Sequence, residues 1–172
     1  VSSDVITLLN SLNPGSVPAY YSIANNSTSY STVIQSRSWL PDPIGGIVWL
    51  GFDNSALAGR MPLFCGITEL PPSFRVTNQN GFSTASAAWA FRRAARLAQL
   101  GWGKTRPLIN QSIMELEERA FAELPLIEKK ARELHDQDPA RARAFLTSYS
   151  RDFALAATAS VAPNPWAGEI QD

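Results

Sequence analysis

The chain has 172 residues, 45% of them hydrophobic and 17% charged, which suits one globular domain and is too apolar for intrinsic disorder. Its 15 Lys/Arg balance 15 Asp/Glu, so no bulk charge draws it to nucleic acid or to an anionic membrane. The single cysteine, Cys65, excludes an internal disulfide, and the strongest apolar run, Ile44 to Phe52, is too short to span a membrane.

In chain order, DVITLLNSL (residues 4–12) predicts a short helix capped by Ser3 or Asp4 and ended by Asn13-Pro14-Gly15. Residues 1–12 lack the basic start and long apolar core of a signal peptide. Val1 is not an initiator residue, which points to a chain that is processed, truncated or partly resolved. The sequons at Asn25, Asn26 and Asn110 arise easily by chance in a chain rich in Asn, Ser and Thr. SYSTVIQSR (29–37) alternates as a strand, with Tyr30, Thr32 and Ile34 on one face. The prolines of WLPDP (39–43) must leave any central strand. IGGIVWLGF (44–52) and MPLFCGIT (61–68) read as buried strands. Their short connection, Asp53–Arg60, favours an antiparallel pair.

Residues 73–82 read as a loop, with Asn78, Asn80 and Gly81 as turn residues. A helix follows from Thr84 to Leu100, with Ser83 as N-cap and Gly101 at the C′ position. Trp89, Phe91, Ala95 and Ala98 face inward; Arg92, Arg93 and Arg96 face water. A second helix, Leu108–Leu124, carries Ile109, Ile113, Leu116, Ala120 and Leu124 as its apolar stripe, with Glu115 and Arg119 as an i,i+4 pair. Pro125 ends it and opens a third helix through His135. Asp138-Pro139 starts a fourth, to Val161, with Ala142, Phe145, Leu146, Tyr149, Phe153 and Ala156 inward, ended by Pro163 and Pro165. The chain therefore divides into strands and loops (1–82), helices (83–162) and a tail (163–172). That order predicts an α+β fold in which helices cover an antiparallel sheet. Residues 1–107 hold 8 Lys/Arg against 4 Asp/Glu, and residues 108–172 hold 7 against 11. This reads as an acidic helical surface beside a less charged sheet region; a basic half facing a substrate carboxylate is the sharper alternative.

Four segments resemble the C69 (U34) dipeptidase family. They are SYSTVIQSRSWLPDPIGGIVWLGFDNSA (Ser29–Ala56), MPLFCGITELPPSF (Met61–Phe74), FSTASAAWAFRRAARLA (Phe82–Ala98) and RARAFLTSYSRDFA (Arg141–Ala154). No one of them is specific; their order and spacing together are. The resemblance implies the C-terminal half of an αββα N-terminal-nucleophile hydrolase acting on dipeptides and small peptides. In that family a cysteine becomes the mature N-terminus, and its α-amino group is the general base. Here Val1 is not cysteine and Cys65 lies inside the chain, so the resemblance places the nucleophile outside this chain. The implied partners are the enzyme's own N-terminal half or a cysteine-bearing partner chain, and a small peptide substrate. A homo-oligomer is left open, and no cofactor or metal is implied.

Arg37, at a strand end before a proline-rich turn, is the first candidate for binding a substrate carboxylate. A structural pairing with Asp42 or Asp53 weighs slightly more. Tyr30 and Ser31 precede it as candidate pocket residues, although an inward tyrosine on a half-buried strand is more often core. Asp53-Asn54 suits a turn. Cys65 reads as a buried apolar thiol, and His135 as a solvated residue near a helix end, with no second metal-type residue at ligand spacing. Arg92, Arg93 and Arg96, with Lys104 and Arg106, read as a solvated helix face and not a nucleic-acid patch. The five tryptophans read as core or interface residues. Gly101-Trp102-Gly103-Lys104-Thr105 lacks the spaced first glycine of a phosphate loop. Two functions follow: part of a cysteine dipeptidase, or a non-catalytic structural or interaction subunit on a dipeptidase-derived scaffold.

Overall fold

A computed structural model of the chain describes residues 3–18, 24–25, 27–76 and 81–161. Helix α1 (Ser3–Leu12) comes first, followed by strand β1 (Tyr30–Ser36), a single helical turn α2 (Asp42–Gly45), and strands β2 (Gly46–Phe52) and β3 (Met61–Phe64). A 3-10 turn (Pro72–Phe74) leads to α3 (Ala87–Gln99), α4 (Trp102–Gln137) and α5 (Pro139–Val161). The sheet is antiparallel in the order β1-β2-β3, with Gln35 opposite Ile47 and Ile47 opposite Phe64. The fold is thus α+β, with strands in the first half and helices dominating the second.

The core lies where α3, α4 and α5 meet the sheet. Ile47, Trp49, Met61 and Phe64 supply its sheet side, and Phe91, Leu124, Leu146 and Phe153 its helical side. Each large apolar side chain buried there contributes about 1.5–3 kcal/mol. Ala120, Ala131, Ala142, Ala154 and Ala157 are all fully buried. Such short side chains let α4 and α5 approach each other and the sheet closely.

The two sheet edges differ. Along β3, hydroxyls of α5 take up backbone donors: Phe64 N–H donates to Ser150 Oγ (3.4 Å) and, just beyond the strand, Thr68 N–H donates to Thr147 Oγ1 (3.0 Å). Pro62 is tolerated because β3 is an edge strand. Along β1, no further strand is paired among the described residues, and Tyr30, Val33 and Ile34 are exposed, Ile34 at 71%.

Several boundaries differ from expectation. Residues 42–45 form a helical turn, because Pro41 and Pro43 cannot extend the β2 ladder and Pro41 O accepts from the Ile44 and Gly45 amides. Strand β3 stops at Phe64, where Gly66 N–H turns to Pro43 O (3.0 Å). Helix α3 starts three residues later than predicted, after Ser86, whose hydroxyl donates to Val76 O (3.2 Å). Gly101 has φ −136°, so it serves as the N-cap of α4 and not as a left-handed C′ residue.

The predicted second and third helices are one. Helix α4 runs through Pro107 and Pro125, although an interior proline costs about 3 kcal/mol. Burial of Ala120, Leu124 and Ala131 on both sides of Pro125 offsets that cost. Arg119 pairs with Glu123 (2.8 Å) while Glu115 accepts from Gln111 (2.8 Å), so the predicted Glu115–Arg119 pair does not form. On α5 the inward residue is Ala157 and not Ala156. Trp39 and Trp102 are exposed, unlike Trp49. Val1, Asn26, Asn78, Asn80 and the 163–172 tail, with Trp166, lie outside the described residues.

Candidate functional site

Three side-chain groupings stand out, and β1 connects two of them. At its C-terminal end, Arg37 is almost enclosed, with its side chain 10% exposed. Its Nε–H donates to Gly45 O (3.2 Å), its Nη2–H donates to Ile44 O (3.0 Å), and Nη1 forms an ion pair with Glu128 of α4. The two carbonyls are the last of the one-turn helix α2, which have no partner along their own helix. A guanidinium there satisfies both, and its charge suits a helix C-terminus. Gly45 is required because a Cβ would meet Arg37 O at 2.6 Å. Arg37 therefore ties the end of β1 to α2 and α4. The paired carboxylate is Glu128, and not Asp42 or Asp53.

At the other end of β1, Tyr30 stands opposite Phe52 and Ser31 opposite Gly51. Tyr30 is 62% exposed, so it is not a core residue. Ser31 Oγ is buried and has no hydrogen-bond partner among the described residues. At about 3.3 Å per residue, the strand holds Tyr30 and Arg37 roughly 20 Å apart, so the predicted substrate-binding trio is not brought together. Beside β1 runs a groove of about 400 Å³ lined by Val33, Gln35, Trp49, Arg60, Glu117 and Phe121, among others. Trp49 packs on Phe121 (5.0 Å between ring centroids), and its indole N–H donates to Gln35 Oε1 (3.1 Å). Arg60 pairs with Glu117 (3.6 Å).

The second grouping is the turn after β2. Asp53 has φ +59° and is buried; its amide donates to Ser29 O (2.8 Å), and Oδ1 pairs with Arg92 Nη2 (3.4 Å). Asn54 Oδ1 accepts from Ala56 N–H (2.9 Å), the Asx-turn pattern. The expected turn is formed, and its buried Asp53 also holds a part-buried ion pair that sequence reasoning missed, because the pattern of α3 places Arg92 on the solvated face.

The third is a cleft of about 530 Å³ lined by Pro41, Asp42, Pro43, Cys65, Gly66, His135 and Arg143. The chain's one cysteine and one histidine meet there. Cys65 is exposed, which corrects the expectation of a buried thiol. Its amide donates to Gly46 O (2.9 Å), and a Cβ on Gly46 would lie 2.5 Å from Sγ. The bare glycine leaves space for the sulfur at the mouth of the cleft. No hydrogen bond joins Cys65 to His135 among the described residues, so thiol and imidazole are neighbours without the contact an activated nucleophile requires. The predicted turn at Asp138-Pro139 places His135 and Arg143 on either side of it, but no local signal told which strand end they would face.

Tyr149 of α5 has a raised pKa. Burial, and then the charge of Glu123, which lies close without a hydrogen bond of normal geometry, hold its pKa above the usual tyrosine range despite Arg119. Among the described residues no group of three or more His, Cys, Asp or Glu is arranged to hold a metal. No helix of the described residues is long and apolar enough to cross a membrane.

The family model described as Peptidase family C69 matches residues 10–115. That span takes in the sheet, α3, Arg37 and Cys65, and ends inside α4 before Glu128, His135 and α5. No curated protein matches the chain.

Proposed function

The chain belongs to peptidase family C69, and on that premise we propose that it serves the hydrolysis of dipeptides and other small peptides as the C-terminal half of an N-terminal-nucleophile enzyme. The attacking cysteine is supplied by a segment or partner chain outside this one. This chain supplies part of an αββα sheet, its covering helices and part of the substrate wall.

The observation that carries the reading is that, among the described residues, no further strand pairs with the outer edge of β1. Exposed Val33, Ile34 and Phe121 line a groove together with buried Trp49, exposed Tyr30 lies further along the same strand, and the opposite sheet edge is covered by α5. An open, apolar strand edge is a template for another strand. Tyr30 and Ser31 lie on that edge, and Arg37 holds its end in place; a carboxylate reaching Arg37 would have to compete with Glu128. Among the described residues no hydrogen bond joins Cys65 to the His135 imidazole in their shared cleft, and that supports an external nucleophile.

The alternative is a non-catalytic subunit on the same scaffold. Its support is the internal engagement of Arg37 by Glu128, Ile44 and Gly45, which leaves the best candidate for substrate recognition in a structural role.

The test is dipeptide hydrolysis by this chain alone, and by the chain joined to or mixed with an upstream cysteine-bearing segment of the same gene. Activity is expected only in the joined or mixed form, with loss on blocking of the N-terminal cysteine and retention in Cys65→Ser. Hydrolysis by this chain alone that Cys65→Ser abolishes would overturn the proposal. A joined form with no activity on any dipeptide would favour the scaffold.

A further inference from the structure

The corner where α3 turns into α4 combines exposed cations with exposed large apolar residues. Between Glu69 and Glu115 the sequence contains no acidic residue and six basic ones, Arg75, Arg92, Arg93, Arg96, Lys104 and Arg106. Arg92 is drawn inward to Asp53. Arg93, Arg96, Lys104 and Arg106 are exposed. Among and beside them stand Leu97 (56% exposed), Leu100 (86%), Trp102 (39%) and Leu108 (66%).

The arrangement follows from helix geometry. Arg93, Arg96, Leu97 and Leu100 fall at i, i+3, i+4 and i+7, so they share the outward face of α3. Phe91, Ala95 and Ala98 take the buried face. Leu100 caps α3 and Gly101 starts α4, which puts the most exposed leucine at the apex. Trp102 and Lys104 follow within one turn, and Arg106 lies over the Trp102 ring at 5.7 Å.

We propose that the α3–α4 corner docks on an anionic lipid surface, with Leu97, Leu100, Trp102 and Leu108 entering the headgroup boundary and Arg93, Arg96, Lys104 and Arg106 meeting lipid phosphates and carboxylates. Charge complementarity selects the occupant's sign. The leucines select its class, because a nucleic-acid backbone offers no apolar layer to receive three leucines, whereas an interfacial segment places its apolar side chains just below the headgroups. Tryptophan suits that boundary, with its ring in the apolar layer and its N–H in the polar one. The whole-chain charge of zero does not oppose this, since screening confines the attraction to residues near the surface. The proposal does not depend on the peptidase reading.

The experiment is co-sedimentation of the protein with pure phosphatidylcholine vesicles and with vesicles of phosphatidylcholine mixed with phosphatidylserine. Binding is expected only to the mixed vesicles and should weaken with added salt. Arg93→Gln and Lys104→Gln should each lower the partition about fivefold and reduce the salt dependence. Leu100→Ser should lower it and leave the salt dependence intact. All three side chains are exposed, and an unchanged thermal midpoint confirms that each variant folds; Arg106→Gln replaces any that does not. No binding to the mixed vesicles, equal binding to both, wild-type binding by the variants, or tighter binding to a random-sequence oligonucleotide than to the mixed vesicles would each overturn the proposal.

Discussion

Removing the Glu128 carboxylate separates the two roles open to Arg37. In Glu128→Gln the guanidinium stays enclosed, still donating to Ile44 O and Gly45 O, but its counter-charge is gone. The pair is part-buried, with side chains 10% and 19% exposed, so breaking it from one side costs less than in a fully buried pair, about 1–3 kcal/mol, because the remaining charge keeps some access to water. For a chain of this size each kcal/mol moves the thermal midpoint by roughly 2–4 °C, so a fall of roughly 2–12 °C is expected. Arg37→Met should fall comparably, and Arg37→Met/Glu128→Leu should recover much of the loss, since neither charge is then stranded. The assay is thermal unfolding followed by circular dichroism, with denaturant titration as a second measure. If Arg37→Met leaves the midpoint unchanged and instead raises KM in the joined peptidase, Arg37 faces substrate and the structural account of it is wrong.

Native Cys65 is expected to react with iodoacetamide without denaturation, because its thiol is exposed at the cleft mouth; intact mass measures this, and an unlabelled native protein would contradict the described exposure. Gly46→Ala should destabilise the protein, because its Cβ would lie 2.5 Å from Cys65 Sγ, and Gly46→Ala/Cys65→Gly should regain part of that loss. Phe153→Ala removes a fully buried ring between the helices and the sheet and should cost about 3–5 kcal/mol in denaturant unfolding. Tyr149 has a raised folded pKa, so its neutral form is favoured by folding. Its contribution to stability is present below the ordinary tyrosine value of about 10 and is lost as pH rises through the folded pKa. Tyr149→Phe should therefore flatten the alkaline fall in the unfolding midpoint; an unchanged profile would count against the assignment.

Local periodicity was enough for the elements. The i,i+3,i+4 stripes of α3 and α5 and the β-branched run of β2 each carry their own pattern, so these elements were legible with only small boundary shifts. Proline was harder to read. In the sequence Pro125 looks like a helix start, and only the burial of Leu124 and Ala131 on either side explains why α4 continues through it. The candidate site was less legible. Arg37 could be singled out from its position after a strand, but its partner Glu128 is 91 residues away and carries no local mark.

By itself the sequence determined the α+β order, the antiparallel β2–β3 pair and the segments that resemble family C69, because these depend on neighbours a few residues apart. Only the tertiary structure decided that Arg37 closes on α2 and α4, that Asp53 takes Arg92 inward, and that Cys65 and His135 share one open cleft. Those outcomes depend on which helix packs against which strand, a choice made by the whole core at once and written in no single segment.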